Sequence, residues 1–253
     1  MRDFRFRLND FVFGSLGENY PALHDAVMRF GYPVGSRLGR TMNLKNVTVA
    51  LLDPERTLVR RKGMSVPFAL EEATQILAGT YDHDRMAAIT PRAADLITPQ
   101  TAYGPRTWQQ LQAVETELRA NPASRRGTVY VGRHDDLWRA DDEDRAREMP
   151  CTKTWHFDLT EGRLDMTAEM RSNDLVWGLS YDIPCFTAVQ RAMAHALGVP
   201  VGTYWHKANS LHVYERHFQL ELEPLSDDRF SGVEVLFGHT MEETRVNALS
   251  ALR

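Results

Sequence analysis

The residues best suited to chemistry cluster between positions 150 and 185. Cys151 follows Pro150 at the head of a run that alternates apolar and polar side chains. Further on, "MRSNDLVWGLSYDI" sets Arg171, Ser172, Asp174 and Asp182 in a segment otherwise rich in apolar groups. A thiolate is a nucleophile, and a guanidinium beside a hydroxyl suits an anion. A carboxylate on the buried side of such a segment is costly unless something pairs with it. Arg125-Arg126, Glu72, Tyr103 and the His212-x-Tyr214 pair lie outside this stretch. Taken singly, each has an ordinary reading. Cys151 would be a core residue, the arginine pair solvated charge, His212 and Tyr214 a hydrogen-bonded pair on one strand face, and Asp182 a helix brace. Their conjunction asks for more.

The elements that must position them are legible in outline. "TMNLKNVTVALLD" (41–53) is rich in β-branched and apolar residues and reads as strand. "PFALEEATQILAG" (67–79) has Pro near its start, Gly at its end and helical apolar spacing. A second helix covers 106–122, with Trp108, Leu111, Val114 and Leu118 on one face and Asn121-Pro122 as its stop. "GTVYVGR" (127–133) is a short strand, and the charge-dense stretch 133–148 reads as a solvated loop whose His and Asp spacing fits no metal pattern. Residues 151–159 and 162–172 alternate as two adjacent strands. The spacing then turns helical from Asp174 to Leu197, with a kink expected before Pro184 and an end at Gly198. Residues 202–217 return to strand and loop. With no repeat or low-complexity linker, this mixture predicts one α/β or α+β domain over 1–253.

Bulk composition narrows the function classes. The 253 residues are 43% hydrophobic and 25% charged with a net charge of −4, which argues against non-specific nucleic-acid binding. No apolar run reaches the roughly 18 residues of a membrane span, and "MRDFRFRLND" does not read as a signal peptide. A soluble cytoplasmic protein is expected, with Cys151 and Cys185 as free thiols.

The blocks resemble the thymidylate synthases and their relatives the pyrimidine hydroxymethylases. "NPASRRGTV" resembles the family's double-arginine turn, "MPC" its proline-cysteine nucleophile, "MRSNDLVWGLSYDI" the signature that follows, and "LHVYERH" its late His-x-Tyr element. "SRLGRT" and "QTAYGPRTW" match more loosely. The blocks keep family order from about residue 36 to 217.

The resemblance implies a mixed β-sheet flanked by helices, paired sheet to sheet as a homodimer, with 5,10-methylenetetrahydrofolate as co-substrate and no metal. It assigns Cys151 as the nucleophile that adds to C6 of a pyrimidine nucleotide. Arg37, Arg171 and Ser172 would hold the 5′-phosphate, joined by Arg125 and Arg126 from a partner subunit. His212 and Tyr214 would bond the sugar 3′-hydroxyl, Glu72 would organise water and relay protons, Asp174 would touch base and folate, and Tyr103 would lie near the thiolate. Small-molecule nucleotide and folate are the implied partners, with neither nucleic acid nor membrane.

Asp182 decides the base in this reading, because thymidylate synthases carry asparagine there. An amide can accept from uracil N3–H and donate to O4, whereas a carboxylic acid answers cytosine, accepting from N4–H and donating to N3. Other departures point the same way. Thr152 stands where synthases usually have His, residues 78–102 lack the tryptophans that screen the intermediate, and "VNALSALR" does not resemble the synthases' closing segment. The expectation is a cytidylate (CMP or dCMP) 5-hydroxymethyltransferase, chemistry that serves phage DNA modification or nucleoside antibiotics. The alternatives are a thymidylate synthase acting on dUMP, a silent relative that binds nucleotide or RNA, and a generic α/β binding protein.

Overall fold

A computed structural model describes residues 9–36, 38–95, 97–136 and 149–253. Its centre is an eight-stranded mixed sheet ordered β1-β3-β8-β6-β5-β4, with β2 paired to β3 and β7 to β8. The strands are β1 (Asp10–Phe13), β2 (Tyr32–Ser36), β3 (Gly39–Leu51), β4 (Thr128–Tyr130), β5 (Thr152–Thr160), β6 (Arg163–Met170), β7 (Asn173–Asp174) and β8 (Val201–Tyr214). Strand β8 is the spine. It runs antiparallel to β3 along its length and parallel to β6 and then β7 on its other edge. Chain order thus makes β6 and β7 one strand interrupted at Arg171-Ser172. The interruption puts Asp174 in register with His212 and draws the Arg171 N–H onto the Cys151 carbonyl at 2.9 Å.

Helices cover one face: α1 (Leu16–Phe30), α2 (Val66–Ala78), α3 (His83–Ile89), α4 (Pro91–Ala94), α5 (Tyr103–Ala120), α6 (Ser180–Leu197) and α7 (Met241–Ala251). Helix α6 lies in the core, every residue from Ser180 to Ala194 being buried. It packs against the sheet through β6 and β8 and against α2, α5 and α7. Helix α2 ends where sequence predicts, at Gly79 in the left-handed conformation (φ 69°). A Cβ there would sit 2.7 Å from the Trp108 ring, so glycine is needed for close packing on α5 as well as for the turn.

Four expectations change. Helix α5 begins at Tyr103 rather than 106, because Pro105 in its first turn needs no N–H partner. Strand β4 is only Thr128–Tyr130. The irregularity expected before Pro184 lies earlier, as a π-helical turn over Leu175–Leu179 whose Val176 N–H is capped by Asp174, and α6 itself is unbroken. Finally, the stretch 133–148 is not wholly a solvated loop. His134–Asp136 forms a 3₁₀ turn, and the Asp136 carboxylate is buried in a forked pair with Arg106, both side chains 3% exposed. Residues 137–148 lie outside the described residues. Cys151 and Cys185 are free, and among the described residues no helix is long and apolar enough to cross a membrane.

Candidate active site

A cavity of about 710 Å³ opens at the end of the sheet where β5 starts and β6 gives way to β7. It is lined by Glu72, Tyr103, Cys151, Arg171, Ser172, Asp174, Asp182, His212 and Tyr214, which sequence reading had singled out from six separate places in the chain. Arg125 and Arg126 are exposed between α5 and β4 and do not line it. Arg37 lies outside the described residues.

Cys151 sits half-buried at the cavity wall. The Arg171 guanidinium folds onto the turn before it, donating from Nη2 to the Met149 carbonyl (2.9 Å) and from Nε to the Pro150 carbonyl (3.2 Å). Burial pushes the thiol up, Arg171 pulls it down, and Asp182 and Asp174 push it up again. The net direction is upward, so the guanidinium alone does not ionise the sulfur. Nη1 of Arg171 has no protein partner among the described residues.

Asp182 is 8% exposed. Its Oδ2 accepts from Asn173 Nδ2 at 2.7 Å and its Oδ1 from the Tyr103 hydroxyl at 3.2 Å. Tyr103 in turn accepts from the Thr152 hydroxyl at 3.0 Å. None of these partners is a cation, so burial wins and the carboxyl is pushed up to about 6. It is Asp174, not Asp182, that caps a helix, through the Val176 N–H at 2.8 Å. Glu72, across the cavity on α2, is pushed up to about 8 by burial and by the nearness of Asp182. Two carboxyls that cannot both ionise cheaply mark a site able to hold and move a proton.

At the β8 end, His212 is nearly buried and packs edge-on against Tyr214 at 5.1 Å, with Arg216 over the Tyr214 ring at 4.5 Å. Burial lowers the His212 imidazole, leaving a neutral ring able to donate or accept. The opposite wall is aromatic: Phe68, Trp177 and Tyr181. Arg61 is buried behind it, stacked at 5.1 Å on Trp177 and 5.2 Å on Tyr181 and bonded to the Ser180 hydroxyl, which holds both rings in place.

Residues 79–247, more than half of the chain, match the family model for thymidylate synthase. The chain belongs to the thymidylate synthase family. Within it, one relative is the deoxyuridylate hydroxymethyltransferase of Bacillus phage SP01, 28% identical over 217 residues, covering 77% of this chain and 56% of that protein. The enzyme of the same name from Pseudomonas phage M6 is 30% identical over 194 residues, covering 71% and 53%. A thymidylate synthase from Bacillus licheniformis is 32% identical over 101 residues, 40% of this chain and 34% of that one. The chain spans about half the length of the two phage relatives. Members of the thymidylate synthase family use methylenetetrahydrofolate as co-substrate, and among the described residues no cluster could hold a metal ion.

Sequence reading missed Asn173, Tyr204 and His206, which stand behind Asp182. Nδ2 of Asn173 meets the carboxylate, Oδ1 of Asn173 lies 3.0 Å from His206 Nε2, and His206 Nδ1 lies 3.0 Å from the Tyr204 hydroxyl. The signal was available. His212 and Tyr214 share a strand face, and the same period of two run backwards reaches Tyr204 and His206.

Proposed function

We propose that this protein is a cytidylate 5-hydroxymethyltransferase, taking CMP or dCMP with 5,10-methylenetetrahydrofolate and water to the 5-hydroxymethyl nucleotide and tetrahydrofolate. The observation that carries the reading is Asp182, a buried carboxyl on the cavity wall whose protein partners are all donors, at the position where thymidylate synthases have an amide. A carboxylic acid facing cytosine, or a carboxylate facing its N3-protonated form, is one complex with the proton in two places. Either form draws electron density from the ring and eases addition at C6.

Each residue then has a task. The Cys151 thiol loses its proton and its sulfur adds to C6, which places the electron pair on C5. The folate supplies the one-carbon unit that C5 takes up. Glu72, still protonated near neutrality, holds a water against the ring and passes protons as C5 loses its hydrogen. Tetrahydrofolate departs with the electron pair of its bond to the one-carbon unit, leaving an exocyclic methylene on C5. Water adds to the exocyclic carbon, the sulfur leaves C6, and Cys151 is regenerated. Arg171 and Ser172 hold the 5′-phosphate with Arg37, and His212 and Tyr214 bond the 3′-hydroxyl. The room beside Phe68, Trp177 and Tyr181 suits a flat pterin, with Asp174 at its edge. Arg125 and Arg126 complete the phosphate site of a second copy. The sheet face opposite the helices, carrying Thr48, Thr167, Glu169, Trp205 and Lys207, is the surface through which the copies pair.

A second reading, hydroxymethylation of deoxyuridylate, is favoured by the names of the two phage relatives. Asp182→Asn separates the two. On the cytidylate reading the variant loses at least about a hundredfold in kcat/KM for cytidylate relative to dUMP, because mismatched polar groups in a closed site discriminate strongly. A wild-type enzyme that turns over dUMP better than CMP and dCMP would contradict it.

A further inference from the structure

Behind Asp182 lies a buried chain of hydrogen bonds whose direction is fixed from one end. The Tyr204 hydroxyl is fully buried, and its partner is His206 Nδ1 at 3.0 Å. A buried O–H that has one acceptor donates to it. His206 Nδ1 therefore carries the lone pair and Nε2 the hydrogen. Nε2–H donates to Asn173 Oδ1 at 3.0 Å, which turns the amide so that Nδ2 donates to Asp182 Oδ2 at 2.7 Å. Burial holds the His206 imidazole down to about 3, so it has one hydrogen to place and not two. Gly178 leaves room for the amide: a Cβ there would come within 2.6 Å of Asn173 Nδ2 and 3.3 Å of Asp182 Oδ2.

We propose that Tyr204, His206 and Asn173 are positioning residues for base selection, holding Asp182 Oδ2 as an acceptor so that the pyrimidine group favoured opposite it is an amine. This rests on the cytidylate reading and deepens it. The other oxygen is not held in the same way. Oδ1 accepts from Tyr103, which accepts from Thr152, and two hydroxyls can rotate to follow a proton. The two oxygens thus divide the work, Oδ2 meeting the exocyclic N4–H and Oδ1 sharing the proton with ring N3.

Uracil would require the reverse at Oδ2, since its O4 accepts. A proton would have to sit on Oδ2, leaving Asn173 Nδ2–H a hydroxyl oxygen to meet in place of the stronger carboxylate acceptor. Turning the amide to relieve this would move the His206 hydrogen to Nδ1 and leave the Tyr204 O–H without its acceptor deep in the core. The discrimination against uracil is thus anchored at a side chain that does not line the cavity.

Tyr204→Phe tests this without removing volume. Without the hydroxyl, either His206 tautomer leaves Nδ1 unpaired and neither is preferred. The ratio of kcat/KM for dCMP over dUMP falls by about tenfold or more, the loss expected when one buried polar preference is removed. If both substrates lose activity by the same factor while the wild type prefers dCMP, the three residues are merely structural and the inference is overturned. If the wild type prefers dUMP, the cytidylate reading falls first and the inference with it. Nitrogen-15 spectra of His206 in the intact wild-type protein give a check that needs no variant. Hydrogen on Nε2 between pH 6 and 8 supports the chain as drawn, and hydrogen on Nδ1 overturns it.

Discussion

On the proposed mechanism, the reaction begins at Cys151 from a thiol held near an arginine rather than from a standing thiolate. Removing that sulfur stops addition at C6, so Cys151→Ser lowers turnover by about ten thousandfold or more while dCMP still binds; titration calorimetry and product analysis check the two halves. Asp182 makes a sharper statement, because the pair proposed for it with cytosine holds one proton more than the free carboxylate. With the free carboxyl at about 6, that proton comes from solution above pH 6. Affinity for dCMP therefore falls by up to about tenfold per pH unit from pH 7 to 8.5, with uptake of about one proton measured in buffers of different ionisation heat; Asp182→Asn abolishes the uptake. The titrating groups that face Asp182 are Glu72, Tyr103, Cys151, Asp174, Cys185 and Tyr204, and every one of them is present in both proteins. Glu72 has the same sign in stability. Its folded value of about 8 stands above the ordinary 4.5, so its contribution is full below pH 4.5 and is lost as pH rises through 8. Glu72→Gln costs about a hundredfold or more in rate. The same variant melts about 3 °C or more above wild type at pH 8.5 but alongside it at pH 4.5, as scanning calorimetry would show.

Among the elements, α5 shows how the site is held. Its first residue is Tyr103, and its first turn is tied down by Arg106, which bonds the Val131 carbonyl at 2.8 Å and forks onto Asp136. Asp136→Ala leaves that guanidinium buried without its counter-charge and costs about 3–5 kcal/mol of stability in urea unfolding, the penalty for breaking a buried pair from one side. This anchor was not legible in sequence, because Asp136 opens a run so dense in charge that solvation is the natural reading. Helix α2, with apolar spacing and clear caps, and α5, with apolar spacing and a stop at Asn121-Pro122, were legible within a few residues. Helix α1 was not: Ser15 caps it, but Pro21 inside it breaks the pattern a periodic reading needs. Helix α7 went unread because its apolar residues do not gather on one face and it buries only Met241, Thr244 and Ala248. The π turn at Leu175–Leu179 leaves no periodic signature either; it re-aims the chain so that Asp174 caps while Asp182 faces the cavity.

Across the whole molecule, the sheet gathers what the chain scatters. Strand β8 joins β3, β6 and β7, and the break between β6 and β7 brings Cys151, Arg171, Asp174 and His212 to one end. Most of the candidate site could be named from motif order, since each block keeps its residue types. The chain behind Asp182 was missed although its period could be read on β8, because Asn173, His206 and Tyr204 act through one another. The exposed Arg125 and Arg126 belong to this scale as well. Mixing Arg126→Ala with Cys151→Ser subunits restores about a quarter of wild-type activity if the copies share phosphate sites, since random pairing gives half of the dimers one intact site of two. The central claim, that an acidic side chain selects an amino-pyrimidine for hydroxymethylation, is tested most directly by one mass spectrum. CMP, dCMP and dUMP are offered together with 5,10-methylenetetrahydrofolate. The account predicts a cytidylate product heavier by one formaldehyde, with dUMP largely unchanged. A methylated product, or dUMP consumed ahead of both cytidylates, would contradict it.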